Sequence, residues 1–471
     1  YLLIAALVRR SPYQGVIPLL ALMGVFLFYG KSLLGGLTRQ STGIPPAFLL
    51  VAVLIVFVLT VWWLARRPFL LDRVNTFLAL TGLLMVGWLS ARFLANQFRS
   101  RSIIEGSALA AQLARPINSR AAAGGQVQPV PDIYLLVLDE YAHAAVLQNL
   151  FQFENRMFED SLRQLGFTIP RLVRSNYVHT VLSLPSLLNF SHLTRLTQEV
   201  GARSTDASLP NYLLEHNRTA SYLKQRGYRF LFYPSQWWPS TNRNRNADWE
   251  FDAWTGFNPA REVSRSDLRR SLIRTTALDY VIRDDAWDAD FIRRTLTALE
   301  AVPEHAEPTF AFAHIVSPHW PYVFQADCRV ARETQVSGRV GRQRAYIDQL
   351  QCLIRLILHT VSTILQRSTV PPVILLQGDH GTNLLRYSDA ASAKAVTSAQ
   401  ASERLGAFGA YYLPGAGRAL FADSVTVVNV LQKVLSYYAG ADVSPQPDDL
   451  YVSLERTPYD FAPVAPSELL Y

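Results

Sequence analysis

Residues 133–140 read IYLLVLDE, six apolar residues followed by two acids. An unbroken apolar run of this length is the pattern of a strand covered on both faces, as strands of parallel sheets are. Asp139 and Glu140 would then stand at the C-terminal edge of a sheet, where α/β proteins place their chemistry. Runs of the same kind recur at FLFYP (230–234), FAFAHI (310–315) and VILLQGDH (373–380). Helical patterns separate them at 211–225, 284–300 and 342–366. Strands alternating with helices predict an α/β sandwich built on a largely parallel sheet.

Upstream of this region the composition changes. The chain has 471 residues, 49% of them hydrophobic, and a mean hydropathy of +0.10. The excess lies mostly in the first hundred residues, which excludes a single soluble globule. Ser11 to Gly30, Gln40 to Ala65 and Val74 to Ala91 carry no charge. At about 20 residues each, they are long enough to cross a bilayer as helices. The opening YLLIAALV is too short to span and reads as the end of a helix begun upstream. Its arginines follow the apolar run, so it is not a signal peptide. Lys and Arg are equally numerous on the two sides, but the doublets Arg9-Arg10 and Arg66-Arg67 occupy the shortest loops. That arrangement favours those loops as cytoplasmic and places everything after Arg92 outside. Five membrane helices are therefore expected in the full protein. The expected organisation is transmembrane helices over 1–97, a juxtamembrane helix and Pro/Gly/Ala-rich linker over 98–131, a catalytic domain over 132–450 and a tail over 451–471.

Lys and Arg total 45 against 37 Asp and Glu, a formal charge of +8. No Lys/Arg-rich run accompanies that excess, so the basicity reads as membrane-proximal and argues against a nucleic-acid partner. Only two cysteines occur, without a CxxC, which excludes a structural zinc motif and a disulfide-rich scaffold. In a domain placed outside, Cys328 and Cys352 are expected to pair.

Three strand ends present metal-ligating side chains: Asp139 with Glu140, His314 with His319, and Asp379 with His380. An Asp-His-Gly at the end of an apolar strand would bury two polar side chains without partners. Asp379 alone reads equally well as a helix cap. Its coincidence with LLVLDE turns the reading toward a metal site of carboxylates and an imidazole. The segment 176–189, NYVHTVLSLPSLLN, opens an apolar helix at Thr180. Thr180 is either an ordinary N-cap or a hydroxyl nucleophile activated by a metal at a helix N-terminus.

These motifs together resemble the alkaline phosphatase superfamily, in the sulfatase-like membrane branch that includes phosphoethanolamine transferases and lipoteichoic acid synthases. The resemblance covers roughly 132–450, and the upstream helices fit the membrane anchor of that branch. It implies a sulfatase-like α/β sandwich preceded by an α-helical transmembrane domain. LLVLDE implies Asp139 as a metal ligand with Glu140 adjacent, and TVLSLPSLLN implies Thr180 as the metal-bound nucleophile. LLQGDHG implies Asp379 and His380 as further ligands, and HIVSPHWPY implies His319 and His314 as substrate contacts beside Glu140. One divalent ion, zinc or manganese, is implied as cofactor. A phospholipid donor and an envelope glycan or lipid acceptor are the implied partners, at a membrane and outside the cytoplasm. A hydrolase of phosphate or sulfate esters, or a silent binding module on the same fold, are the alternatives. The formylglycine motif Cys-x-Pro-x-Arg of sulfatases is absent, Gly378 replaces the usual Ser before Asp-His, and ERLGAFGAYYLPG lacks the additional His of the transferases.

Overall fold

A computed structural model of the protein describes residues 68–119, 130–235, 241–253, 285–331, 338–421 and 423–471, with isolated positions between 52 and 59. The chain divides into two units, residues 1–99 with 254–284 and residues 100–253 with 285–471. In the first unit the described part is mainly the beginning of helix α1 (Pro68–Gly106). The stretches Ser11 to Gly30 and Gln40 to Ala65 lie outside the described residues, isolated positions apart, whereas Val74 to Ala91 falls within α1. Among the described residues no helix is long and apolar enough to cross a membrane. The helix nevertheless exposes large apolar side chains, including Leu84, Trp88 and Phe98 at 71%, 70% and 72%.

The second unit opens with α2 (Ala108–Leu113), and β1 (Ile133–Leu138) leads through α3 (Ala144–Phe151) and α4 (Arg156–Gln164) to β2 (Leu172–Arg174). Next come α5 (Thr180–Asn189), α6 (Ser208–Glu215), α7 (Arg218–Lys224), β3 (Arg229–Tyr233) and β4 (Trp249–Glu250). Then follow α8 (Asp285–Leu299), β5 (Thr309–Ile315), α9 (Gly338–Arg367) and β6 (Val373–Gln377). The chain closes with α10 (Ser398–Leu405), β7 (Gly406–Ala407), β8 (Gly409–Tyr412), β9 (Ser424–Thr426), α11 (Val427–Tyr438), β10 (Leu450–Leu454) and β11 (Thr457–Val464).

The main sheet has the order β4-β3-β5-β1-β6-β8. All its neighbours are parallel except the edge strand β8, which runs antiparallel to β6. The four apolar runs of the sequence are its four longest parallel strands. Pleating sends alternate side chains of β1 into different cores. Tyr134, Leu136 and Leu138 pack with residues of α8 and α9 on one face, and Ile133, Leu135 and Val137 with residues of α5, α7 and α11 on the other. Burial on both faces is why these strands are uniformly apolar.

Two local features differ from the sequence pattern. The helical pattern 211–225 is broken in two, because the Asn217 side chain accepts a hydrogen bond from Ala220 N and caps α7 instead of continuing α6. Residues 450–464, extending into the stretch read as a tail, form the β10-β11 hairpin, and His179 Nε2 lies 3.2 Å from the Ser453 carbonyl. Cys328 and Cys352, 24 residues apart, form a disulfide. QWWP (236–239) and Trp254 fall outside the described residues, while Trp249 and Trp320 are 38% and 43% exposed.

Candidate active site

The site follows from the strand order. β5, β1 and β6 are neighbours, with Val137 in register with His314 on one side and Gln377 on the other. Their carboxyl ends therefore deliver His314, Asp139 and Asp379 to one place. One potential ligand atom from each of these three lies within 4.8 Å of the others, and all three residues are buried. Glu140, in the left-handed region at φ 60°, turns the chain away from β1, and its N–H donates to Asp379 Oδ1 at 3.2 Å. The His380 N–H donates to the same oxygen at 2.9 Å.

Gly378 and Gly381 are what allow the β6 loop to lie so close. A Cβ on Gly378 would stand 2.4 Å from the Tyr141 carbonyl oxygen, and one on Gly381 2.0 Å from that of Glu403. The departure from the usual Ser at 378 thus has a steric reason in this chain.

Thr180 is the first residue of α5, and the capping position is taken by His179. The reading of Thr180 as an ordinary N-cap is thereby corrected: its hydroxyl faces His380, with Oγ1 3.0 Å from Nε2. His380 Nδ1 lies 3.1 Å from the Gly381 carbonyl. A carbonyl only accepts, so Nδ1 carries the proton and Nε2 presents its lone pair to Thr180. Ser175 and Ser183 both donate to the Asp379 carbonyl at 2.6 Å, tying the β6 loop to the start of α5.

His314 Nδ1 is held at 2.8 Å by Thr241, leaving Nε2 3.3 Å from Asp139 Oδ2. The His319 N–H donates to the Asp139 carbonyl at 3.1 Å. Its Nδ1 meets the Trp320 carbonyl, and its Nε2 lies 4.0 Å from Glu140 Oε1. Arg404, at the end of α10, enters from the opposite side. Its Nη1 bonds Glu140 Oε1 at 2.5 Å and the Gly381 carbonyl at 2.6 Å. Its Nε bonds the Val178 carbonyl at 2.8 Å, and its Nη2 lies 3.3 Å from His380 Nε2.

Burial pushes the Asp379 carboxyl well above its ordinary range, and the charge of Asp139 adds to that rise. Burial alone would also raise Asp139, but His319, then His314 and His380, outweigh it and hold that carboxyl low. Burial and the neighbouring Arg404 keep His380 neutral. His319 is opposed by burial yet raised, because Glu140 and Asp139 face it. Two fully buried carboxyls whose ligand atoms lie within 4.8 Å of one another are thus set apart, Asp139 held low and Asp379 forced up.

Of the expected ligands, Asp139, Asp379, His380 and Thr180 come together. His314, expected as a substrate contact, joins the two aspartates, while His319 and Glu140 flank the group at its more open side. The residues fit a divalent ion: His314 Nε2 and Asp379 Oδ2 are buried with no hydrogen bond of their own among the described residues and meet only fellow members of the cluster, Asp139 Oδ2 at 3.3 Å and His380 Nε2 at 3.1 Å, and carboxylate with imidazole is a donor set for zinc or manganese. Sequence reasoning missed Arg404 altogether. It lies in ERLG at the end of α10, where an arginine carries no signal of its own. Thr241, Ser175 and Ser183 carried no signal, since hydroxyl residues are common in loops and helices.

The family model described as Sulfatase matches residues 139–412, more than half of the chain. No curated protein matches the chain in sequence. The chain is similar to the C-terminal periplasmic domain of EcEptC from Escherichia coli in complex with Zn, at 13% identity over 76% of this chain and 98% of that one, with a TM-score of 0.50. It is also similar to the soluble domain of lipooligosaccharide phosphoethanolamine transferase A from Neisseria meningitidis, at 14% identity over 70% and 95% of the two chains, with a TM-score of 0.42. The lipoteichoic acid synthase LtaP from Listeria monocytogenes follows at 12% identity over 76% and 84%, with a TM-score of 0.42. The strand order, the buried acid-imidazole cluster at the strand ends and the family match converge on one conclusion: the chain belongs to the sulfatase family, within the alkaline phosphatase superfamily.

Proposed function

We propose that the protein is a membrane-anchored, metal-dependent transferase that moves a phospho-polar headgroup, phosphoethanolamine or phosphoglycerol, from a phospholipid to an envelope glycan or lipid. The observation that carries this reading is the position of Thr180. Its hydroxyl stands at a helix N-terminus, 3.0 Å from His380 Nε2, beside the Asp139-His314-Asp379 cluster. A hydroxyl so placed is suited to nucleophilic attack, since the helix N-terminus favours the negative charge that develops on it.

Asp139, Asp379 and His380, with Thr180 and with His314 nearby, would hold one divalent ion. Such an ion, when bound, lowers the pKa of the nucleophile and neutralises phosphoryl oxygens. The chain's own residues do the rest. Ser175 and Ser183 fix the loop that carries Asp379 against α5, which sets the direction of Thr180. Thr180 Oγ forms the bond to phosphorus as the ester bond to diacylglycerol breaks, and His319, whose imidazole is biased toward its protonated form, supplies the proton the leaving alcohol needs. Attack by the acceptor hydroxyl on the phospho-Thr180 intermediate, with its proton passing to His319, then breaks the bond between phosphorus and Thr180 Oγ and regenerates the enzyme.

The charge-free stretches of the first hundred residues and the exposed apolar side chains of α1 support a membrane anchor. The Cys328–Cys352 disulfide supports a catalytic domain outside the cytoplasm, as does the periplasmic origin of the EcEptC domain. Peptide mass spectrometry of Thr180, after incubation with zinc or manganese and mixed phospholipids, tests the reading against a Thr180→Ala control. An adduct with the mass of phosphoethanolamine or phosphoglycerol is expected. Phosphate or sulfate released to solution, with no group arriving on an acceptor, would replace transfer by hydrolysis. A chain that binds no divalent ion and forms no adduct would leave only a silent module.

A further inference from the structure

His319 supplies a proton in the reaction proposed above, and it stands on a loop, residues 316–323, that belongs to no strand or helix. Pro318 and Pro321 lie in that loop and have no N–H to donate. Its carbonyls and remaining N–H groups must find partners outside it. Gln349 of α9, fully buried, is that partner. Its Nε2 donates to the His319 carbonyl at 2.8 Å and the Pro321 carbonyl at 3.4 Å. Its Oε1 accepts from Val323 N at 2.7 Å and Phe324 N at 3.4 Å. We propose that Gln349 is the positioning residue of His319, holding the loop so that the imidazole stands where the leaving alcohol needs its proton. The proposal rests on the transferase reading above and adds to it the residue that sets the acid in place.

The bonds alternate in a way that fixes the ring. The His319 and Pro321 carbonyls turn to Gln349, while the Trp320 carbonyl between them turns to His319 Nδ1. A carbonyl only accepts, so Nδ1 carries a proton and Nε2, 4.0 Å from Glu140 Oε1, faces the site. The His319 N–H is tied in turn to the Asp139 carbonyl at 3.1 Å. The residue is thus held by the end of β1 on one side and by α9 on the other. The carboxamide gives both donors and both acceptor sites to this one segment. An apolar residue would serve the packing of α9 equally well, so it is the loop that requires an amide at this buried position.

The same face of α9 grips the end of β1. Tyr346, one turn before Gln349, donates to the Glu140 carbonyl at 2.8 Å. Cys352, three residues after Gln349, is bonded to Cys328 just beyond the loop. Residues three apart on a helix lie on one face. One helix therefore sets the distance between the carboxyl end of β1 and the loop of His319, and Gln349 is the member of that row that bonds to His319 itself.

The test compares two leaving groups. A diacylglycerol oxygen needs a proton as its bond to phosphorus breaks, whereas p-nitrophenolate departs without one, so misplacing the acid slows the first reaction and spares the second. Formation of phospho-Thr180 is followed by quenched mass spectrometry on the zinc-loaded full chain. The donors are phosphatidylethanolamine and phosphatidylglycerol in micelles, and the p-nitrophenyl phosphodiesters of ethanolamine and of glycerol. Gln349→Met keeps the side-chain length and loses the bonds. It should slow the lipid reaction about 30-fold or more, while KM and the nitrophenyl reaction change by less than about threefold. Gln349→Glu keeps the acceptor for Val323 N but loses at least one of the two donors. It should show the same selectivity with a smaller loss, and it carries the test if Gln349→Met does not fold. His319→Gln should show the selectivity in full, and adding Gln349→Met to it should slow the lipid reaction no further. A folded Gln349 variant that slows both donors alike, or neither, or that adds a further loss to His319→Gln, would overturn the proposal. A His319→Gln that slows both donors alike removes the acid assignment instead, and no adduct on the unaltered chain removes the transferase reading; each takes this proposal with it.

Discussion

The close approach at Gly378 sets a demanding prediction. Replacing Gly378 by alanine adds one Cβ, 2.4 Å from the Tyr141 carbonyl oxygen, 3.1 Å from Phe408 N and 3.4 Å from Phe408 O. Relief requires the β1 loop and the β6 loop to separate by about 1 Å, since carbon and oxygen normally approach no closer than their van der Waals contact. That separation strains two ladder bonds, Phe408 N to Tyr141 O at 2.9 Å and Gly378 N to Phe408 O at 2.8 Å. Overpacking costs about 1–3 kcal/mol and a weakened buried hydrogen bond about 1 kcal/mol more, so the total is about 2–4 kcal/mol. For a domain of this size the fall in Tm should be on the order of 5–10 °C. Asp139 and Glu140 immediately precede Tyr141, so the same displacement opens the acid-imidazole cluster and should weaken zinc binding by about tenfold or more. Gly378→Ser should behave alike, because the clash belongs to Cβ and not to the hydroxyl. Differential scanning calorimetry and chelator competition read the two effects. A Gly378→Ala protein with unchanged Tm and unchanged zinc affinity would refute the argument that glycine is required for the loops to meet.

Asp132 offers a pH prediction away from the site. Burial raises its pKa from 3.8 to about 6 despite the hydrogen bond from Thr309 N. A carboxyl raised in the folded state binds more protons there than in the unfolded chain, so stability falls as pH rises between about 4 and 6 and stays lower above. Asp132→Asn should therefore stabilise at pH 7.5 by up to about 3 kcal/mol and change little below pH 4. A variant with equal Tm shifts at the two pH values would contradict this. Reducing the Cys328–Cys352 disulfide removes a crosslink over a 24-residue separation, which chain entropy values at about 3.5 kcal/mol. A thermal scan with and without a phosphine reductant, with mass spectrometry to verify the free thiols, should show a clear fall in Tm, and an unchanged value would show that the unfolded chain is not constrained by this link.

The uneven legibility of the sequence has physical causes. Burial on both faces forces a parallel central strand to be apolar at every position, so IYLLVL, FLFYP, FAFAHI and VILLQ announce themselves whatever surrounds them. The polar residues that interrupt such runs at their carboxyl ends are equally conspicuous, which is why Asp139, His314, Asp379 and His380 were recognisable before their neighbours were known. Thr180 could be read from the apolar helix it opens, but only as one of two roles. The tertiary structure puts His179 at the capping position and turns the Thr180 hydroxyl toward His380, while Ser175 and Ser183 hold the Asp379 carbonyl about 200 residues further along the chain.

Arg404 and Glu140 lie 264 residues apart and share no periodicity. Their pairing depends on the positive φ of Glu140, on the close passage allowed by Gly378 and Gly381, and on the end of α10 meeting that loop. His314 likewise moved from the substrate side to the acid cluster only when its register with Val137 became visible. The sequence by itself determined the sheet, the strand ends and the residue types able to hold a cation, since these follow from local burial and hydrogen-bonding chemistry. Which side chains meet, and which carboxylate is neutralised by an arginine, was decided by the tertiary structure, because sub-ångström loop geometry and strand register are collective properties that no local pattern encodes.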